Sequence, residues 1–352
     1  MNNTNIKLPD ILIKKNYVKK FLKKTLENEK NVFLICDIKI KKILNDIYPK
    51  NNNKVIFIKA SEKIKSFSTY EKYINILLRK KINRQSTLIS IGGGTIGDLT
   101  GFIASTILRG INFILIPSTL LSQVDSSIGG KNGINSIYGK NLVGTFYLPS
   151  KIIIDTSLLK SLSKRELLCG YAEMIKHAII YDKKYFYWAD KNINNILNLK
   201  NDIIQTAIIK SIKIKSEIVK NDPKESLNTK ISRSLLNFGH SFGHAIETLY
   251  GYNGKINHGE AISVGMILEA NLSMYLGLLS LKDFNIIKNH FIKANLKTNI
   301  KNLDLHKIIK IMKFDKKNIE KKISIVLLNE IGSSYLEKDL DEKNILSVFK
   351  QF

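Results

Sequence analysis

Short runs of branched apolar residues alternate with stretches of helical period through the first half of the chain. Residues 32–36 (VFLIC), 55–58 (VIFI), 87–91 (TLISI), 113–116 (FILI) and 152–154 (III) read as strands, and 38–47 has helical spacing. These strands show no polar alternation, so both of their faces are expected to be buried. That is the habit of a parallel sheet covered by helices. From about residue 164 the period changes. Residues 164–181, 200–220, 233–250, 259–277 and 281–295 carry helical spacing, and a strand signal returns only at 323–328. The pattern predicts an α/β nucleotide-type domain over residues 1–163 and a mostly α-helical domain over 164–352.

Composition narrows this further. With 44% hydrophobic and 24% charged residues in 352, the chain has enough apolar content to fold. Two cysteines, Cys36 and Cys169, cannot staple a chain of this length, which points to a reducing, cytoplasmic setting. The opening MNNTNIKLPD lacks an apolar core behind a basic tip, so no secretory signal is expected. Residues 99–124 carry a single charge, Arg109, but Gly110, Asn112 and Pro117 interrupt them. They read as a buried helix, a turn and a buried strand, not as a membrane span. The net charge of +26 invites a nucleic-acid reading, yet only five of the 56 basic residues are Arg, leaving 51 Lys. A nucleic-acid reader recruits Arg for bidentate contacts. Lysines this diffuse form a solvated surface that can attract an anionic substrate, and no nucleic-acid partner is expected.

Residues 90–98 (SIGGGTIGD) follow a strand and open a helix. Gly92, Gly93, Gly94 and Gly97 are expected to let the backbone approach a ligand and adopt positive φ, while the helix start offers free N–H groups to a phosphate. A dinucleotide site fits this context, and so does a tight structural turn. Asp37, ending the first strand, could accept from a ribose diol or simply be solvated.

Three of the six histidines fall close together, in FGHSFGHAIE and NHGEA. His240 and His244 share a helical face, and His258 starts the next helix. With Glu173, two of these histidines would make a zinc set with an open position, although spacing does not say which ones ligate. The ordinary reading of Glu173 is a salt bridge to Lys176 one turn on. His177, His290 and His306 read as surface or packing residues. Residues 117–149 read as a long polar loop, which is uncommon unless functional. Its Asp125, Lys131, Lys140 and Asn141 sit among glycines in a way that suits a phosphate.

Taken together, GGGTIGDLTGF, RGINFILIPSTLLSQVDSSIGGKNGIN, GKNLVGTFYLP, GYAEMIKH, LLNFGHSFGHAIE and HGEAISVGM resemble the 3-dehydroquinate synthase family, in order, over about residues 30–330. The resemblance implies a Rossmann-like N-terminal NAD-binding domain and a mostly α-helical metal- and substrate-binding domain, with the active site in the cleft between them. It implies closure of 3-deoxy-arabino-heptulosonate 7-phosphate to 3-dehydroquinate with loss of phosphate, in the shikimate pathway. The implied cofactors are catalytic NAD and a divalent metal, zinc or cobalt, and the implied assembly is a homodimer.

The resemblance also assigns residues. The metal ligands fall on Glu173, His240 and His258, and catalytic positions fall on Lys131 and His244. Cofactor contacts fall on Asp37, Glu62, Lys65, Gly93, Gly94, Thr95, Asp98, Ser118, Thr119, Lys140, Leu158, Leu159, Lys160 and Ser161. Substrate contacts fall on Asp125, Lys131, Lys140, Asn141, Lys176, Lys215, Arg233, Asn237, His258 and Lys316, and on Arg109, which a neighbouring subunit contributes in the family. Three departures stand out. The loop before Arg233 is about four residues longer than the family's short acidic loop. Its acid–base glutamate would fall on Glu225 or on Thr229. Asn132 stands where Thr is usual, and Cys169 where the family has a small polar residue or Asn.

Three rivals predict different behaviour. Another sugar phosphate cyclase would not need Lys215 and Arg233 for a carboxylate. A metal- and NAD-dependent polyol dehydrogenase would need no phosphate loop and would yield net NADH. A nucleic-acid-binding protein would leave the Glu/His set without a purpose and would bind with strong salt dependence.

Overall fold

The computed structural model describes residues 9–44, 54–225, 232–251, 255–301, 303–313 and 323–347. They fall into two compact units, Met1–Ser163 and Lys164–Phe352. No helix among the described residues is long and apolar enough to cross a membrane.

The first unit is built on β1 (Asp10–Ile13), β2 (Val32–Asp37), β3 (Val55–Ile58), β4 (Thr87–Gly92), β5 (Asn112–Pro117) and β8 (Lys151–Ile154). These six strands form one parallel sheet in the order β1-β8-β5-β4-β2-β3. β2 and β4 are buried at every position, which explains their unbroken apolar sequence. Helices α1 (Val18–Asn28), α2 (Lys41–Leu44), α3 (Phe67–Arg79) and α4 (Gly94–Thr106) connect the strands. Val18, Leu22 and Ile40 pack with Leu34, Ile89 and Ile153 in one core cluster. From β2 the chain goes to β3 on one side, and then to β4 on the other. That reversal is where open parallel sheets bind ligands, beyond the carboxyl ends of the strands. Asp37 ends β2 and Gly92 ends β4 on the neighbouring strand.

The stretch 117–149 is not a loop. Its first part turns through one π-helical segment, Ser122–Ser126. Its second part is an antiparallel hairpin of β6 (Lys131–Ser136) and β7 (Gly139–Phe146). Glycines and asparagines disguised it, but they are what the packing requires. A Cβ on Gly144 would lie 2.1 Å from the Asn132 carbonyl oxygen. A Cβ on Gly101 in α4 would lie 1.9 Å from the Asn132 side-chain oxygen. The Asn132 amide donates to the Gly130 and Tyr147 carbonyls, both at 2.8 Å. The Asn132 side chain therefore occupies the space left by the bare backbone of Gly101.

The second unit is mostly helical: α5 (Lys164–Tyr181), α6 (Lys183–Lys191), α7 (Ile193–Leu197), α8 (Asn201–Asn221), α9 (His240–Leu249), α10 (His258–Tyr275), α11 (Leu281–Lys293), α12 (Leu305–Lys313) and α13 (Glu342–Ser347). It also carries an antiparallel pair, β9 (Ile323–Glu330) and β10 (Ser333–Leu340). The expected helix 233–250 is interrupted. A 3-10 turn, Arg233–Asn237, is followed by Gly239 at φ 79°, and α9 starts afresh at His240. Gly239 is required twice over, because a Cβ there would lie 2.4 Å from Met266 Cγ. The Gly239 N–H donates at 2.6 Å to the buried Glu269 carboxylate, which anchors the start of α9 on α10.

Candidate active site

In the first unit the glycine string makes a strand-to-helix turn, but its physical basis differs from the expected positive φ. None of Gly92, Gly93, Gly94 and Gly97 is in the left-handed region. Gly92, Gly93 and Gly94 are glycine for want of space, while Gly97 is not crowded. A Cβ on Gly92 would lie 2.7 Å from Ile96 Cβ, on Gly93 3.1 Å from Thr119 Cγ2, and on Gly94 3.1 Å from Ser126 Oγ. α4 begins at Gly94, inside the string, so the helix start lies at its centre and Thr95 and Asp98 belong to the first turns. The neighbouring strand end is tied in: the Ser118 N–H donates to the Gly92 carbonyl at 2.9 Å. Thr119 and Ser122 exchange hydrogen bonds beside it.

Several predicted residues meet around this turn. The side chain of Lys65 is buried and its Nζ lies 2.6 Å from Asp98 Oδ2. The same ammonium donates to the Asn141 side-chain oxygen. Asn135 of the hairpin donates to Glu62 at 2.8 Å through its side chain and to the Lys65 carbonyl through its backbone. Asn141, predicted to touch substrate, thus shares a network with Glu62, Lys65 and Asp98, predicted to touch cofactor. Asp37 is buried and caps the following turn through the Lys39 N–H at 3.1 Å. Lys131 is exposed, and Lys140 and Asp125 are half-buried. The segment Thr156–Ser161 is a 3-10 turn in which Leu158 and Leu159 are core residues. Their side chains are therefore not available to a cofactor, and any contact there falls to backbone, Lys160 or Ser161. Arg109 is exposed in a turn where Leu108, Arg109 and Gly110 all have positive φ, at 52°, 70° and 111°.

In the second unit the metal-type residues do converge. Glu173 is fully buried on α5. Its Oε1 lies 3.1 Å from His258 Nε2 and 3.5 Å from His240 Nε2, and the three donors lie within 4.8 Å of one another. Ligands held at about 2.0–2.2 Å from a tetrahedral zinc stand about 3.3–3.5 Å apart, so the set fits. The second nitrogen of each ring is held as well. His240 Nδ1 faces the Phe238 carbonyl at 3.1 Å, and His258 Nδ1 faces Glu247 Oε2 at 3.3 Å. Burial, with the Lys176 cation adding to it, holds the His240 ring well below its usual pKa, against the pull of Glu173. That direction favours the neutral imidazole, whose Nε2 lone pair a metal could take. Burial also acts to lower His258, but hydrogen bonds to Glu173 and Glu247 outweigh it and hold that ring well above its usual value. A metal would displace that proton.

His244 joins the group, with ring centroids 5.2 Å from His240 and 6.3 Å from His258. The predicted Glu173–Lys176 salt bridge is present too, with Lys176 fully buried. Each carboxylate oxygen of Glu173 is therefore engaged, Oε2 by Lys176 and Oε1 by the two histidines. α10 places His258 at its first residue through a capping box. The Glu260 N–H donates to Asn257 Oδ1 at 2.8 Å, and the Asn257 N–H donates to Glu260 Oε2 at 2.9 Å. Arg165 of α5 clamps the same Glu260 carboxylate at 2.6 and 2.8 Å. Cys169 meets the start of α10, where the Gly259 N–H donates to its Sγ at 3.1 Å. Burial pushes this thiol's pKa up.

Lys215 and Arg233 are buried cations. Arg233 is fixed by its Nη1 on the Pro223 carbonyl at 2.7 Å and by its backbone N–H on Asp222 at 3.0 Å. Asn237 donates to Glu225 Oε1 at 3.0 Å. Lys316 and Thr229 lie outside the described residues. His177 and His290 are buried and hydrogen-bonded, His177 to Ser211 and His290 to Tyr171 and Asp190. Sequence reasoning missed Glu247, Asp222 and Glu269. Glu247 had a signal, since it sits seven residues after His240 and three after His244 on one helical stripe.

Comparison with known proteins identifies the family of the chain. A family model described as 3-dehydroquinate synthase N-terminal matches residues 55–169, and one described as 3-dehydroquinate synthase C-terminal matches 170–318. A 3-dehydroquinate synthase from Pelagibacter ubique is 45% identical, covering 97% of this chain and 95% of its own. Among solved structures, a 2-epi-5-epi-valiolone synthase from Streptomyces hygroscopicus with NAD+ and Zn2+ bound shares the fold at TM-score 0.85 and 21% identity, covering 100% of this chain and 98% of its own. A 2-deoxy-scyllo-inosose synthase complexed with carbaglucose-6-phosphate, NAD+ and Co2+ does so at TM-score 0.82 and 23% identity, covering 97% and 96%.

Proposed function

Because the chain belongs to the 3-dehydroquinate synthase family, we propose a set of residue roles for the lyase reaction that converts 3-deoxy-arabino-heptulosonate 7-phosphate to 3-dehydroquinate and phosphate. NAD, when bound, supplies a reversible hydride acceptor, and a divalent metal (zinc, with cobalt as a substitute) supplies a Lewis acid for the hydroxyl that is transiently oxidised. Glu173, His240 and His258 hold the metal. Gly93, Gly94 and Thr95 offer helix-start N–H groups to the pyrophosphate, and Asp37 accepts from a ribose diol. Glu62, Lys65, Asp98, Ser118, Thr119 and the backbone around Lys160 and Ser161 complete the cofactor contacts.

Lysine and arginine carry the substrate's two anions. Lys215 and Arg233, both buried cations, suit the carboxylate through charge-assisted bonds, and Lys176, paired with Glu173, lies among the substrate contacts. Lys131, Lys140 and Asn141 suit the phosphate, with Asp125 and Asn237 fixing hydroxyls. His244 holds and moves a proton beside the donor trio, and Lys131 stabilises the departing phosphate. Aldol closure after ring opening needs chiefly that the reacting ends be held together. The chain acts as a cytoplasmic homodimer in this reading, with exposed Arg109 reaching a neighbouring subunit's phosphate.

One observation carries the proposal. Two imidazole Nε2 atoms converge on one buried carboxylate oxygen whose sister oxygen binds a buried lysine. The test is phosphate release from 3-deoxy-arabino-heptulosonate 7-phosphate, with and without NAD and before and after chelation. Release that needs both cofactors and forms no net NADH is expected. Net NADH from a polyol, or release that survives complete chelation, would overturn it.

A further inference from the structure

We propose that Glu247 is the positioning residue for the metal centre: it accepts the Nδ1–H of His258 and so commits the opposite nitrogen, Nε2, to the ion. The inference rests on the assignment of Glu173, His240 and His258 as ligands and adds a residue to it. His258 stands between two carboxylates, with Nε2 3.1 Å from Glu173 Oε1 and Nδ1 3.3 Å from Glu247 Oε2. A neutral imidazole has one N–H and one lone pair. Once Nε2 gives its lone pair to a metal beside Glu173, the remaining proton can sit only on Nδ1, where Glu247 receives it. Carboxylates placed this way fix the tautomer and ring orientation of a ligating histidine and raise its basicity.

The fold supports the pairing from both sides. Glu247 is buried and follows His240 and His244 on the same stripe of α9, so one helix supplies a ligand, a proton carrier and the orienting carboxylate. His258 is the first residue of α10 and half-buried, and its backbone is held by the capping box. Backbone position alone leaves the ring free to turn about its side-chain torsions, and Glu247 removes that freedom. The counterpart on His240 is the Phe238 carbonyl, a neutral acceptor that cannot be removed by substitution. His244, Glu247 and His258 also offer donor atoms within 4.8 Å of one another. A second ion there would require His258 to lose both ring protons.

The test uses the full chain and measures Zn2+ affinity by competition with a chromophoric chelator, together with the visible spectrum of the Co2+-loaded protein. Glu247→Ala is expected to weaken Zn2+ binding by about 10–100-fold and to shift the Co2+ bands. Glu247→Gln keeps an acceptor oxygen at the same place and is expected to recover most of that loss. A role confined to stability would lower the melting temperature of both variants and leave the Co2+ spectrum and the affinity of the folded fraction unchanged, which would overturn the proposal. So would binding of two equivalents by the parent and one by Glu247→Ala at unchanged affinity, since Glu247 would then be a ligand. Glu173→Ala serves as the reference. If it retains metal, the ligand assignment itself fails. If it loses metal while Glu247→Ala does not, only the role of Glu247 fails.

Discussion

The two units assemble their chemistry from different parts of the chain. In the first, the loop cluster is made largely of backbone: the β4–α4 turn, the N-terminal N–H groups of α4, and strand ends in register at Gly92 and Pro117. Its charged side chains close on one another, as Lys65 does on Asp98. In the second, the chemistry is made of side chains taken out of water: Glu173, Lys176, Lys215 and Arg233 are all buried, with two histidines leaning on the same carboxylate. A backbone site depends on the absence of side chains, and a side-chain site depends on charge balance. Substitutions should therefore fail in different ways in the two units.

The largest effect is expected where charge balance is removed. Glu173→Gln takes away the proposed metal ligand and leaves Lys176 buried beside a neutral amide. Breaking one partner of a buried pair costs about 3–5 kcal/mol, so urea unfolding should show a loss of that order. Metal binding and turnover should vanish with it. The double variant Glu173→Gln/Lys176→Met should regain much of the stability, because a buried pair can be replaced by apolar groups, and should regain none of the metal. NAD affinity, measured by calorimetry, should stay near that of the parent in the double variant. If it collapses, the contrast between the units is false.

Much of the first unit was legible because its determinants are local. β2, β4, β5 and β8 are apolar runs, and the turn after β4 is a glycine string at a strand–helix junction. What escaped were elements defined by their neighbours. β1 is a four-residue strand at the sheet edge, paired only to β8. β10 carries Ser333, Ser334, Glu337, Lys338 and Asp339 within eight residues, and it is a strand because β9 pairs with it. The β6–β7 hairpin looks like a loop until Gly101 and Gly133 are seen to make room for it. The glycine string does form the strand-to-helix turn, but without the expected positive φ, and at Gly92, Gly93 and Gly94 crowding takes its place. In the second unit spacing alone offered the candidate metal donors only as a short list, and the choice of Glu173, His240 and His258 came from the family resemblance. His240, His244 and His258 are equivalent in spacing arguments, and what separates them is which nitrogen faces Glu173. Glu247 was in view within the same motif, but its role depends on a residue eleven positions on and on another helix.

The intermediate effect tests the backbone argument. Gly92→Ala puts a Cβ 2.7 Å from Ile96 Cβ, so the first turn of α4 must shift. Overpacking of this kind costs about 1–3 kcal/mol. Displacing one N–H from a phosphate loses a charge-assisted bond of about 1.5–3 kcal/mol, roughly ten- to hundredfold in NAD affinity. Gly97→Ala is the control within the same string. Its Cβ would meet only Leu115 Cδ1 at 3.4 Å, an ordinary contact, and Ala is the better helix former. It should bind NAD as the parent does and be as stable or slightly more so. Equal losses from both substitutions would mean that the string acts through glycine flexibility after all.

The smallest effect probes the place where the contrast is least clean, because one proposed metal ligand, His258, depends on a helix start. Asn257 caps α10 by accepting the Glu260 N–H, and Glu260 answers by accepting the Asn257 N–H and the Arg165 guanidinium. Replacing such a cap with Ala costs about 1 kcal/mol. Asn257→Ala should lower stability by that amount. Because His258 is the first residue of the helix, fraying there moves the ligand, and Zn2+ affinity should fall measurably, though by less than in Glu247→Ala. Arg165 and Glu260 should limit the fraying, since their bidentate contact ties the first turn to α5 independently of the cap. Adding Arg165→Ala to Asn257→Ala should therefore weaken metal binding by more than the two single losses combined. If the losses simply add, the first turn of α10 is held by its core packing, and His258 is positioned by side-chain contacts alone, as the rest of the second unit is.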